Sequence, residues 1–155
     1  GFIGLGNPDA DGVEPDLPDS LQFLKRFSIL SRIDKGAHGQ IMLAKDSEDD
    51  RLVAIKFMPR DQRHKSKFDK ELSVFEALEK YEVYPNGFPK LIFQGKTSHF
   101  YYYIMEKLGK SLKTLHTTFK RLKMKIDMVV DVGLQIIDCL EVLHNSGLVH
   151  KDIKP

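Results

Sequence analysis

Cysteine is almost absent: Cys139 is the only one in 155 residues, which excludes an intrachain disulfide and any metal site built on a Cys-x-x-Cys pair. The natural setting is a reducing one, cytoplasmic, nuclear or both. Long apolar runs are missing too. None approaches the roughly 18 to 20 residues of a membrane-spanning helix, and the first residues lack the basic-then-apolar order of a secretory signal. There is no initiating Met; the chain starts at Gly1 and both ends read as cut. Residues 1–20 hold no Lys or Arg but five acids, Asp9, Asp11, Glu14, Asp16 and Asp19. The remainder therefore carries all 24 basic residues against 17 of the 22 acidic ones, a net +7 beneath an overall +2. A mildly basic surface of that kind suits acidic or phosphorylated protein. No aromatic-and-basic strand motif accompanies it, so nucleic acid is not an expected partner.

What is present is a 41% hydrophobic chain, enough for one ordinary core. Residues 1–19, rich in Gly, Pro and acids, read as a disordered leader. The early Gly1-Phe-Ile-Gly-Leu-Gly6 has the letters of a nucleotide loop, but no strand pattern precedes it and no helix pattern follows. Asp19 or Ser20 can cap a short helix over 21–26. Ile, Leu and Val alternation then predicts strands over 27–34, 40–46 and 51–58, with Ser47-Glu-Asp-Asp50 as a hairpin tip and Pro59 as a stop. A helix is expected over 64–80, with Phe68, Leu72, Phe75 and Leu78 on one side. Two more strands follow a loop at 84–89, over 90–95 and 99–106. Ser111 can cap a short helix to about 119. The last and longest helix, 124–144, is apolar over most of its circumference and reads as central and largely buried, with Gly147 stopping it. Five strands with one inserted helix, then helices, is an α+β plan.

Three stretches carry chemistry. In Ile33-Asp-Lys-Gly36-Ala-His-Gly39-Gln-Ile41, glycines between two strands let backbone N–H groups approach a phosphate; taken alone, Gly36 and Gly39 also suit a plain hairpin turn. In Val53-Ala-Ile-Lys56, a lysine ends an apolar strand and needs either an anion or a route to solvent. Twenty residues after Gly36, it fits a lysine reaching phosphates under the glycine loop, and Glu71 beside the apolar helix face is the carboxylate placed to orient it. A surface pair of Glu71 with Lys67 or Lys70 is the simpler alternative. In His150-Lys-Asp152-Ile-Lys154-Pro155, a loop carboxylate with a lysine two residues on can accept a hydroxyl proton while the lysine neutralises a transferring phosphoryl group; a charged, solvated terminus is the alternative.

In this order these pieces resemble a eukaryotic protein kinase domain, and most closely the casein kinase 1 group, from about Phe27 to Pro155. Gly87-Phe-Pro89 and Met105-Glu-Lys-Leu-Gly109-Lys-Ser-Leu112 are similar to that group's segments before the fourth strand and at the hinge. The resemblance implies a kinase-like fold, with an N-lobe at 20–106 made of a five-stranded antiparallel sheet and one helix. The hinge and the start of a helical C-lobe would occupy 107–155. It implies a serine/threonine kinase, present here as an incomplete catalytic domain, that uses ATP and Mg²⁺ on protein substrates and acts as a monomer away from membranes. Lys56, paired with Glu71, would hold the α/β-phosphates. Gly36 and Gly39 would cover them. Ile33, Ile41 and Ala54 would line the adenine slot, Met105 would be the gatekeeper, and backbone groups from Glu106 to Leu108 would meet the adenine edge. Asp152 would be the catalytic base and Lys154 would contact the γ-phosphate.

Departures accompany the likeness. Asp34 stands where the first loop glycine is expected and brings a carboxylate near the phosphates. His38 stands where an aromatic often caps the loop. Lys151 replaces the Arg of His-Arg-Asp, keeping charge but losing a bidentate fork. The resemblance places the Mg²⁺-binding Asn and Asp-Phe-Gly beyond Pro155, so these 155 residues alone are expected to be inactive. The rival reading is a pseudokinase or truncated interaction module, which Asp34 favours.

Overall fold

Every second side chain from Met42 to Asp46 is buried, while its neighbours are half-exposed, the period of two expected of a strand covered on one face. The computed structural model describes residues 25–36, 39–118 and 124–153, and five strands fill its first part. They are β1 (Phe27–Gly36), β2 (Gly39–Asp46), β3 (Leu52–Pro59), β4 (Leu91–Lys96) and β5 (Phe100–Glu106), antiparallel throughout in the order β1-β2-β3-β5-β4. Helix α1 (Gln62–Leu78) lies between β3 and β4 in sequence, and α2 (Leu112–Thr118) and α3 (Ile126–Asn145) follow β5. The α+β plan and the kinase-like order of elements stand as expected, with bounds within two residues. The acidic leader, Ala37, His38 and Lys154 lie outside the described residues, as does the predicted 21–26 helix except Lys25 and Arg26, which are helical.

Local chemistry accounts for the ends. Helix α1 starts before His64 because the Asp61 carboxylate accepts the His64 N–H at 2.8 Å, an N-cap bond. Ser111 caps α2 as predicted, its Oγ accepting the Thr114 N–H at 3.1 Å. Gly147 stops α3: its N–H donates to His144 O, and Leu148 N–H reaches back to Leu143 O, both at 2.9 Å, the paired bonds of a Schellman motif.

The chain divides into two compact units: residues up to Asp69 with Lys90–Lys107, and Lys70–Pro89 with Leu108–Pro155. The core of the first is one face of the sheet, where Phe27, Met42, Ala44, Val53, Ile55, Phe57, Tyr102 and Ile104 are buried together. Asp46 is buried at the edge of this core. Its carboxylate accepts Arg26 Nε–H at 3.0 Å and an Nη2–H at 2.9 Å, the two-pronged geometry that a guanidinium offers. That hydrogen bonding holds the Asp46 carboxyl below, and the Arg26 guanidinium above, its ordinary value.

In the second unit, Tyr81 Oη–H donates to Val142 O at 3.1 Å. Gly87 (φ +87°) presses so close to Cys139 that a Cβ would lie 2.6 Å from its Sγ, which gives the glycine of Gly87-Phe-Pro89 a packing reason. The expectation that α3 is largely buried fails. Only Leu143 is buried on it, and Ile126 and Ile137 are 71% and 60% exposed. The covered stripe is narrow, running through Cys139, Val142, Leu143 and Ser146 at helical spacing. The apolar circumference is wider than what this unit lays against it. No helix among the described residues is long and apolar enough to cross a membrane.

Candidate active site

The pleat of β3 decides which side chains can meet a ligand. Val53, Ile55 and Phe57 enter the core, so Ala54, Lys56 and Met58 point to the other face. Register extends that face sideways. Lys56 pairs with Ile41 on β2 and Tyr103 on β5, and Ala54 pairs with Leu43 and Met105. Ile41, Ala54, Lys56 and Met105, chosen from sequence, thus share one face of three adjacent strands. Lys56 is half-buried there, its Nζ 5.9 Å from the centre of the Tyr103 ring.

At one end of this face β1 and β2 close in a hairpin whose last pair is Gly36 and Gly39, with two residues between. The two glycines differ. Gly39 has φ +127°, and a Cβ there would lie 2.0 Å from the carbonyl oxygen of Phe57, the residue after Lys56. Only glycine fits that approach. Nothing lies within 4 Å of a Cβ at Gly36, so its missing side chain leaves open space. Ile33 is the unpaired residue where the register shifts between Arg32 and Asp34, a bulge that bends the strand; its side chain is 49% exposed. Asp34 pairs with Ile41, and its carboxylate accepts the Lys35 N–H at 2.9 Å.

At the other end, Glu106 is fastened twice to Lys90: its N–H donates to Lys90 O at 3.0 Å and its carboxylate accepts the Lys90 N–H at 3.1 Å. The Glu106 N–H is thereby engaged within the sheet.

The remaining predicted residues belong to the second unit. Glu71 is half-buried on α1, one turn beyond Phe68. The ion pairs on the first turns of that helix are His64–Asp61 and Lys65–Asp69, both at 2.6 Å and exposed at the carboxylate. The His64 N–H holds the Asp61 carboxyl below its usual value, and hydrogen bonding to Asp69 raises Lys65. Leu108 is exposed. Asp152 is exposed in irregular backbone, where its N–H donates to His150 Nδ1 at 3.2 Å, with Lys151 between them at φ +64°. A non-glycine residue in that left-handed region is held there by its surroundings at some cost in strain.

Two features escaped sequence reasoning. One is the aromatic series beneath Lys56: Tyr103 lies 6.2 Å from Phe68, and Phe68 stacks on Tyr101 at 5.1 Å and 24°. The run Tyr101-Tyr-Tyr103 was its visible signal, because a period of two puts the outer pair on the Met105 face. The other is Arg26–Asp46, which joins residues twenty apart and has no local pattern.

Residues 27–155 match the protein kinase domain as a family. A probable serine/threonine-protein kinase of Dictyostelium discoideum is 31% identical over 134 residues, covering 85% of this chain and 28% of the relative. A probable casein kinase I homolog of Encephalitozoon cuniculi is 28% identical over 136 residues, 85% of this chain and 42% of the relative. A serine/threonine-protein kinase of Arabidopsis thaliana is 25% identical over 130 residues, 84% of this chain and 30% of the relative. The chain thus spans less than half the length of these curated relatives. A solved kinase domain superposes with a TM-score of 0.74 at 19% identity, over 84% of this chain and 38% of that one, and shows the shared fold. A five-stranded sheet with its inserted helix, a lysine on its third strand and a match over residues 27–155 converge on one conclusion: the chain belongs to the protein kinase domain family.

Proposed function

We propose that this chain is the nucleotide-binding part of an ATP-dependent serine/threonine protein kinase of casein kinase 1 type, working in the cytoplasm or nucleus. The observation that supports it best is the row Ile41–Lys56–Tyr103 beside Leu43–Ala54–Met105, which sets a lysine next to a small residue on one face under a glycine hairpin. A triphosphate suits these groups: the ammonium answers its charge, Gly36 leaves room for it, and Ala54 leaves a flat slot for a base. The casein kinase 1 assignment rests on Gly87-Phe-Pro89, on the Met105 to Leu112 segment and on the likeness to the Encephalitozoon cuniculi protein.

ATP supplies the phosphoryl group. On this reading Lys56, oriented by Glu71, holds the α/β-phosphates, Ile33 and Ile41 flank the adenine, and Asp152 accepts the proton of the substrate hydroxyl while Lys154 meets the γ-phosphate. Among the described residues no group of three or more His, Cys, Asp or Glu is arranged to hold a metal ion, so no Mg²⁺ ligand is assigned within them. The net basic body suits acidic or phosphorylated protein substrates.

The test uses the full-length protein with Mg·ATP. Wild type should phosphorylate an acidic serine peptide in preference to a basic one. Lys56→Met should lose Mg·ATP binding, and Asp152→Asn should keep binding but lose transfer. Equal nucleotide binding by wild type and Lys56→Met would sink the assignment.

A pseudokinase is the second reading, and Asp34 favours it, since its carboxylate sits at the hairpin where phosphate would lie. On the kinase reading Asp34→Gly should tighten ATP binding several-fold by removing like-charge repulsion. No change would leave that carboxylate without influence on the nucleotide.

A further inference from the structure

Lys56 must place one ammonium against a phosphate, and a lysine side chain has four rotatable bonds with which to miss. Its neighbours in the register supply a guide. Tyr103, directly opposite on β5, is buried, and the Lys56 Nζ lies 5.9 Å from its ring centre, inside the range in which a cation is attracted by an aromatic face. The ring is itself held. Phe68 of α1 lies 6.2 Å away at 38°, and Tyr101 stacks on Phe68 in turn. Such contacts fix ring orientation because aromatic pairs favour offset and tilted arrangements.

We infer that Tyr103 is a positioning residue for Lys56: its ring holds the ammonium near the direction needed for phosphate and links that direction to the seating of α1 through Phe68. This deepens the nucleotide reading above and rests on it. The ring is the working part, so phenylalanine should serve and an aliphatic residue of similar bulk should not. An aliphatic residue fills space but has no negative face.

Two measurements on the full-length protein separate the possibilities. In lysine-selectively ¹³C-labelled protein, the Lys56 ε-methylene signal, assigned by its disappearance in Lys56→Arg, should be displaced upfield by the ring in wild type and Tyr103→Phe and return to the ordinary lysine position in Tyr103→Leu. By titration calorimetry, Tyr103→Leu should weaken Mg·ATP binding about three- to tenfold, leave adenosine binding unchanged, and be matched to wild type by Tyr103→Phe. An ordinary Lys56 signal in wild type would overturn the inference, and if ATP binding still required Lys56 the nucleotide reading would survive without it. Equal weakening of ATP and adenosine would also overturn it, marking Tyr103 as a packing residue. A displaced signal in a wild type that binds no nucleotide would remove the nucleotide reading, and the role given to Tyr103 with it.

Discussion

Strand β3 and helix α3 are both rich in aliphatic side chains, yet they end differently. Val53, Ile55 and Phe57 are wholly buried, whereas Ile126, Val129, Val130, Leu134 and Ile137 face outward. Geometry explains the contrast. A central strand satisfies its backbone only by pairing on both sides, so β2 and β5 necessarily bring Met42, Ala44, Tyr102 and Ile104 against it. A helix closes its hydrogen bonds within itself and can form with one stripe covered. Apolar patterning therefore states what an element can bury. Whether it is buried depends on what other residues are laid over it.

The largest effect expected is at the covered end of that comparison. Phe57→Ala removes a fully buried ring that meets Phe100 at 6.1 Å and Tyr102 at 6.0 Å, and should cost about 3 to 5 kcal/mol in urea unfolding. Ile137→Ala should cost less than about 0.5 kcal/mol in the same 155-residue chain. Comparable losses at the two positions would show α3 covered in solution and erase the difference.

Next in size is the buried charge. Arg26→Ala leaves the Asp46 carboxylate inside the fold without its fork, and a loss of about 2 to 3 kcal/mol at neutral pH follows. The sign of the pH dependence is set by the depressed Asp46 value. A carboxylate held below its unfolded pKa contributes fully above the ordinary value of 3.8 and loses that contribution as pH falls through the folded value. Stability of wild type should thus decline below about pH 4 more steeply than that of Arg26→Ala. Parallel curves would mean that the pair does not hold the sheet's edge.

What could be read beforehand divides along the same line. Strand and helix positions came from periods of two and 3.6, and helix ends from Ser111 and Gly147, because each is written in neighbouring residues. The kinase order of Gly36, Lys56 and Asp152 was equally legible as motif. Asp61 as the cap of α1 could have been read, since it lies just before the helix pattern. The fork of Arg26 on Asp46 could not, because it depends on β1 and β2 lying side by side. The exposure of α3 was hidden for a related reason: a helix carries no record of its cover.

A smaller and local effect separates backbone from packing at the end of α3 itself. Gly147 has φ +75° and nothing within 4 Å of the place a Cβ would take, so Gly147→Ala meets a conformational penalty and no collision. That penalty is about 1 kcal/mol for an L-residue in the left-handed region. It should act locally, because the two bonds it strains run from Gly147 and Leu148 back to His144 and Leu143. Hydrogen exchange is the suitable probe: the amides of Gly147 and Leu148 should lose protection while those of Ile55 and Phe57 keep theirs. Equal loss in β3 would mean that the helix end and the sheet unfold as one.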